Sequence, residues 1–136
     1  MPKQRTISSL SEEAARLLQR LVRLKAADPF GNAECITCGK VEHWKDLDGG
    51  HFVPRGHKKH KLREENIHPQ CRYCNRYRHG ALAEYTLYMI DMYGRDFVEW
   101  LWETKTDIHK PTRQELLETI ADLKRQVSEH EARVGA

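Results

Sequence analysis

Four cysteines occupy the 136-residue chain as two Cys-x2-Cys pairs, Cys35 with Cys38 and Cys71 with Cys74, and none is left over. Such a turn sets two thiolates about one metal with little strain, and two turns complete the tetrahedron that structural zinc prefers. A pair of disulfides is the competing arithmetic. The opening MPKQRTISSLSEE has no hydrophobic signal core, and no apolar run approaches the roughly 20 residues that span a bilayer. The expectation is therefore a soluble, intracellular chain in a reducing compartment, where disulfides do not persist. A thioredoxin-like redox centre needs one such pair, not two. Zinc held by Cys35, Cys38, Cys71 and Cys74 is the expected structural cofactor. Composition points the same way: 39% apolar and 32% charged residues in one domain-sized chain leave a core that benefits from a staple.

The 32 residues between the pairs exceed the roughly 15 to 20 of a plain zinc ribbon, so the metal clamps the base of a substantial insert, residues 39–70. Fixing both ends of that excursion lowers the entropic cost of ordering it. The charge is also local. The net value is +3, yet residues 51–80 hold eight Lys or Arg against two Glu, together with five of the eight histidines. A basic centre between near-neutral and acidic flanks suits a polyanion, although a solvated basic loop accounts for the charge equally well.

Helical periodicity brackets this region. Ser9 to Ala27 reads as an amphipathic helix opened by Ser9 with Glu12 three residues on, carrying Leu17, Leu18, Leu21, Val22 and Leu24, and ended by Asp28-Pro29-Phe30-Gly31-Asn32. Residues 33–70 read as hairpin and loop. The helical period returns after Cys74 with Leu82, Tyr85, Tyr88 and Met89, stops at Gly94, and resumes with Phe97, Val98, Trp100, Leu101 and Trp102, whose helical spacing marks core rather than a base-stacking surface. Thr112 and Glu115 form a capping box before Leu116, Ile120, Leu123 and Val127, whose steps of four, three and four fit either a self-associating seam or packing on the chain's own core. Three segments follow: an N-terminal helix and linker over 1–32, a zinc-clamped core over 33–94, and C-terminal helices over 95–136 that are candidates for homodimerisation.

Inside and just after the insert lie Asp48-Gly49-Gly50-His51-Phe52, Asn66-Ile67-His68-Pro69-Gln70, Cys71-Arg72-Tyr73-Cys74-Asn75 and His79-Gly80. The order His51, Asn66, Asn75 interlaced with two Cys-x2-Cys pairs resembles the HNH, or His-Me finger, endonucleases. Within them, DGGHFVPRG, LREENIHPQCRYCNRYRHG and YTLYMIDMYG resemble the lambda-type NinG/Rap recombination endonucleases over roughly residues 33–103. Phage endonuclease VII-type resolvases are similar too, with a metal-binding Asp three residues before the base and a metal-binding Asn directly after the last Cys. The resemblance implies an α+β fold with a zinc-stabilised ββα-metal core flanked by helices. It also implies Asp48 and Asn75 as ligands of a catalytic Mg²⁺ or Mn²⁺, and an orienting role for Asn66, which holds the hairpin. One departure stands out: many HNH proteins carry Asp or His immediately before the base, where this chain has Gly50.

Elementary chemistry is compatible with those roles. A neutral imidazole takes a proton from water near pH 7, so His51 is the expected general base. Asp48 and Asn75 are hard oxygen donors that leave most of a Mg²⁺ sphere to water and phosphate. His79, four residues after Asn75, would share its face on one helix and is a third candidate ligand or phosphate contact. Each residue also has a plainer reading: Asn75 as a helix N-cap, Gly49-Gly50 as a turn, and His51, His57, His60, His68 and His79 as surface histidines.

Arg55, Lys58, Lys59, Lys61 and Arg63 lie in the connection between the hairpin strands, and Arg72, Arg76 and Arg78 continue past it. They are the expected DNA contacts, salt-dependent and largely blind to sequence, so that recognition falls to substrate shape. The resulting expectation is a metal-dependent endonuclease that cuts branched DNA, such as Holliday junctions or D-loops, in phage recombination in the bacterial host cytoplasm, with no membrane partner. A non-catalytic zinc module that binds DNA or a recombination partner is the rival, and a helical adaptor is a third reading.

Overall fold

Thr6, not Ser9, starts the first helix. In the computed structural model, which describes residues 4–134, the Thr6 hydroxyl accepts from the Ser9 N–H at 3.0 Å and α1 runs Ile7–Ala26. Its buried stripe includes Leu10, Ala14, Leu18, Leu21 and Leu24. Against it lies α4 (Arg113–Val134), opened by the expected capping box: Glu115 N–H donates to Thr112 Oγ1 and Thr112 N–H to Glu115 Oε1, each at 3.1 Å. The two helices run parallel, since Arg20 pairs with Glu131 and Arg133 donates to the Leu24 and Ala27 carbonyls. Leu116, Ile120, Leu123 and Val127 are buried in this seam. The candidate dimerisation stripe is thus covered inside the chain, and α1 and α4 share one core.

Between these helices in sequence come two antiparallel pairs. The first is β1 (Asn32–Glu34) with β2 (Val41–His43), and the second is β3 (Leu47–His51) with β4 (Ile67–Cys71). The register Leu47 to Cys71, Asp48 to Gln70, Gly50 to His68 and His51 to Ile67 decides what faces what. Side chains alternate along a strand, so Leu47, Ile67 and Cys71 join the α1–α4 core while Asp48, Gln70 and His68 occupy the other face. There α2 (Leu82–Tyr93) covers His68: Tyr85 donates its hydroxyl to the Gly50 carbonyl at 2.7 Å and receives His68 Nδ1 at 3.1 Å. Sandwiched this way, β4 is buried at all five positions.

A second cluster of Phe52, Val53, Tyr85, Met89, Val98 and Leu101 joins the start of the hairpin connection to α2 and α3 (Arg95–Glu103). The result is an α+β fold of helices and small sheets. No helix among the described residues is long and apolar enough to cross a membrane.

One element departs from the sequence expectation. The segment after Cys74 is not the start of a continuous helix: Tyr73–Tyr77 forms a π-type turn, and His79, Gly80 and Ala81 all take positive φ before α2 begins at Leu82. Asn75 is therefore no N-cap, and Asn75 and His79 do not share a helix face.

Candidate functional site

Cys35 and Cys38 lie in the β1–β2 connection, Cys71 ends β4, and Cys74 sits in the π-type turn; their sulfurs all lie within 4.8 Å of one another. All four are free thiols, with Cys38 and Cys71 Sγ 3.7 Å apart. Four zinc–sulfur bonds of about 2.3 Å imply tetrahedral edges of about 3.8 Å, so the cluster could hold a structural metal such as zinc. The local backbone is shaped for it. Gly39, at φ +80°, returns its N–H to the Cys35 carbonyl at 2.9 Å, and the Cys74 N–H approaches Cys71 Sγ at 3.4 Å. Burial opposes ionisation of Cys35, but the Thr37 hydroxyl and nearby backbone N–H groups outweigh it and bring this thiol down to about 6. Burial pushes Cys71 up to about 12. A dication is the charge that would let all four ionise together. Because Cys71 pairs with Leu47 and Cys74 precedes Asn75, this cluster fixes the end of the hairpin next to the cavity described below.

A cavity of about 450 Å³ runs along the open edge of β3. Asp48, Gly49 and His51 line it from the strand, Asn75, Arg76 and His79 from the segment after β4, Pro54 and Arg55 from the connection, and Gln19 and Arg23 from α1. The sequence candidates Asp48, His51, Asn75, His79, Arg55 and Arg76 thus meet at one place.

His51 Nε2 lies 3.0 Å from the Lys61 carbonyl oxygen, which can only accept; the ring proton is therefore on Nε2 and Nδ1 is bare. Burial holds the imidazole below its ordinary pKa, against the pull of the same carbonyl, and so keeps it neutral near pH 7. Asn66 does not reach the cavity. Fully buried, it accepts from the Val53 N–H at 2.8 Å and donates to the Val53 and His60 carbonyls at 3.0 and 3.3 Å, tying the two sides of the connection together.

Asp48 is the one carboxylate among the described residues that lines the cavity. It accepts from Asn75 Nδ2 at 3.0 Å and takes a two-pronged contact from Arg76, Nε at 2.9 Å and Nη2 at 3.0 Å. With Asn75 Nδ2 committed to Asp48, its Oδ1 is turned toward Gly50. Carboxylate and amide oxygens are the donor class that Mg²⁺ and Mn²⁺ take, so the residues present fit such an ion, with Arg76 as its competitor for Asp48.

The basic residues divide. Lys58, Arg72 and Arg76 are exposed and Lys59 half-buried. Lys61 is buried, its ammonium 2.6 Å from Glu12 and 3.3 Å from Ser11 of α1, and Arg63 lies over the Trp100 ring at 4.8 Å while donating to His60. These two are packing groups, not presented contacts. Arg55 shares Glu12 at 2.5 Å, and Arg78 is paired with Glu84. Of the five histidines, His60 and His68 are buried, not superficial.

Sequence reasoning missed Gln19 and Arg23 of α1, which stand one turn apart off the apolar stripe. It also missed Tyr73 and Tyr77, 63% and 76% exposed and stacked with ring centroids 6.2 Å apart. Their alternation with Arg72, Arg76 and Arg78 was a readable signal.

The family model described as "Bacteriophage Lambda NinG protein" matches residues 3–132, nearly the whole chain. The chain belongs to the NinG family. Among curated relatives, the Protein ninG of Escherichia phage lambda is 30% identical over 82 residues, covering 60% of this chain and 39% of the relative. The Protein ninG of Escherichia phage 933W and that of Enterobacteria phage VT2-Sa are each 31% identical over 82 residues, covering 60% of this chain and 40% of the relative. The match thus spans about two fifths of the length of these NinG proteins. No solved structure matches the chain.

Proposed function

We propose that this NinG-family protein is a metal-dependent endonuclease of the HNH type that hydrolyses phosphodiester bonds in branched DNA, such as Holliday junctions or D-loops, during phage recombination. The observation that carries the reading is the convergence, in one cavity, of a neutral imidazole with a bare Nδ1 and the oxygen donors of Asp48 and Asn75. A bound Mg²⁺ or Mn²⁺, held by Asp48 and Asn75 with His79 nearby, would neutralise charge on the phosphoryl oxygens and the departing 3′ oxygen. His51 Nδ1 takes the proton of the attacking water, and the Lys61 carbonyl steadies the imidazolium through Nε2–H. Arg23 and Arg55, which line the cavity, offer positive charge to the phosphate, and cleavage leaves a 5′ phosphate and a 3′ hydroxyl. The Tyr73–Tyr77 pair offers stacking faces for bases freed at a branch, which a continuous duplex lacks.

The rival, a zinc module that binds DNA or a recombination partner without cutting it, draws support from the Arg76–Asp48 contact, which satisfies the carboxylate without any cation. Labelled four-way, forked and linear DNA incubated with zinc-loaded protein and Mg²⁺, Mn²⁺ or EDTA separates the two. Cutting that needs the divalent ion, and that disappears in His51→Ala while binding persists, is the expected result. Binding without cutting under every metal favours the rival.

A further inference from the structure

Gln70 is fully buried and stands directly across the hairpin from Asp48, on the same face. The direction of its amide is settled by chemistry. Nε2 donates to the Gly80 carbonyl at 2.9 Å and to Thr37 Oγ1 at 3.2 Å, and the reversed amide would set oxygen against oxygen at Gly80. Oε1 must therefore point the other way, where it finds no hydrogen-bond donor among the described residues. A buried acceptor left without a donor is costly and calls for an occupant.

Asn75, only half-buried, brings a second acceptor to the same place. Its Nδ2 is committed to Asp48, so Oδ1 faces away from that carboxylate. Both amide oxygens converge on Gly50: a Cβ built there would stand 1.9 Å from Gln70 Oε1 and 3.1 Å from Asn75 Oδ1. Any residue but glycine would fill this space. Two acceptors that approach the same glycine, beside a carboxylate, repel one another unless something positive offsets them. A small divalent cation with oxygen ligands matches the set, whereas Arg76, 58% exposed, reaches only Asp48.

We propose that Gln70 is a further ligand, through Oε1, of the divalent cation held by Asp48 and Asn75, and that Gly50 is bare so that this oxygen can reach across the hairpin. The proposal rests on the nuclease reading above and adds a residue to its cation site.

The test is Mn²⁺ titration of the zinc-loaded protein without DNA, followed by the electron paramagnetic resonance signal of free Mn²⁺. Gln70→Met, similar in volume and without the oxygen, should weaken binding about ten-fold or more while zinc content holds. Gln70→Glu, which puts an anionic oxygen at the same place, should bind Mn²⁺ more tightly than wild type. Wild-type affinity in folded Gln70→Met overturns the proposal. Should that variant fail to fold, Gln70→Glu decides, and unchanged or weaker binding overturns it. The two readings fail separately: wild-type protein that takes up no Mn²⁺ removes the nuclease reading as well, whereas normal wild-type binding indifferent to position 70 removes only Gln70.

Discussion

The ammonium of Lys61 reaches back to Glu12 of α1 at 2.6 Å, while its carbonyl oxygen holds the His51 ring at 3.0 Å. One residue thus links the first helix to the candidate base, its side chain anchored on one element and its backbone aiming another. Asn66 secures the same stretch from within by binding the carbonyl of His60. The aim of Nδ1 is therefore set in part by a contact that spans 49 residues of sequence.

A general base below its ordinary pKa gives a definite pH signature. Only neutral His51 accepts a proton, so single-turnover cutting should rise from the acid side through a midpoint below 6.5 and level off by neutral pH. His51→Ala should lose about 10²–10⁴ of the rate together with this acid limb. A rate still climbing steeply between pH 7 and 9 would assign the base to another group.

Truncating Asn66 removes three hydrogen bonds and leaves the N–H and carbonyl of Val53 buried without partners, while the His60 carbonyl keeps the Arg63 N–H. Asn66→Ala should lower unfolding stability by about 2–4 kcal/mol, read from denaturant midpoints at constant slope. Cutting should fall further than DNA binding, because the connection that aims His51 loosens while the exposed arginines stay in place.

What the sequence discloses here is what local chemistry decides. The capping box at Thr112 and the stop at Gly94 need only neighbouring residues, and both stand where the pattern puts them. The paired cysteines are legible because metal geometry restricts spacing. The α4 stripe shows that a face must be buried but not against what, and α1 turns out to be the partner. Lys61 and Arg63 looked like solvent-facing charges because their partners, Glu12 and Trp100, lie about fifty and nearly forty residues away. Gln70 became visible only once the register set it opposite Asp48. The break after Arg78 escaped because a non-glycine positive φ, as at His79 and Ala81, has no reliable sequence mark.

Chelation of zinc should unfold the protein, not merely silence it. Structural zinc contributes on the order of 10 kcal/mol in small domains, comparable with the whole net stability of a domain. Elemental analysis should find one zinc per chain, and a strong chelator or Cys71→Ser should abolish the cooperative thermal transition followed by circular dichroism. A folded protein with no zinc would overturn the assignment of the four cysteines.

The exposed Tyr73–Tyr77 stack predicts a preference, not a rate. Replacing both by Ala should weaken binding to forked or junction DNA about ten-fold or more in EDTA and leave affinity for continuous duplex nearly unchanged. Their exposure means that the thermal midpoint should barely move. Equal losses on both substrates would make the tyrosines general contacts.

Glu12 is where binding and chemistry should part. Lys61, and then Arg55, hold its carboxyl below the usual range, so it is fully ionised at neutral pH and neutralises two cations beside the cavity. Glu12→Gln keeps the shape, removes that anion and releases Arg55 toward solvent. DNA affinity at low salt should rise, and the slope of log affinity against log salt should steepen by about one for the further phosphate that Arg55 neutralises. Lys61 loses its anchor in the same step, so the carbonyl that aims His51 becomes freer to move and cutting of the bound complex should slow. Tighter binding with slower single-turnover cutting is the expected pair of results; tighter binding with undiminished cutting would show that the Lys61 backbone holds His51 without help from α1.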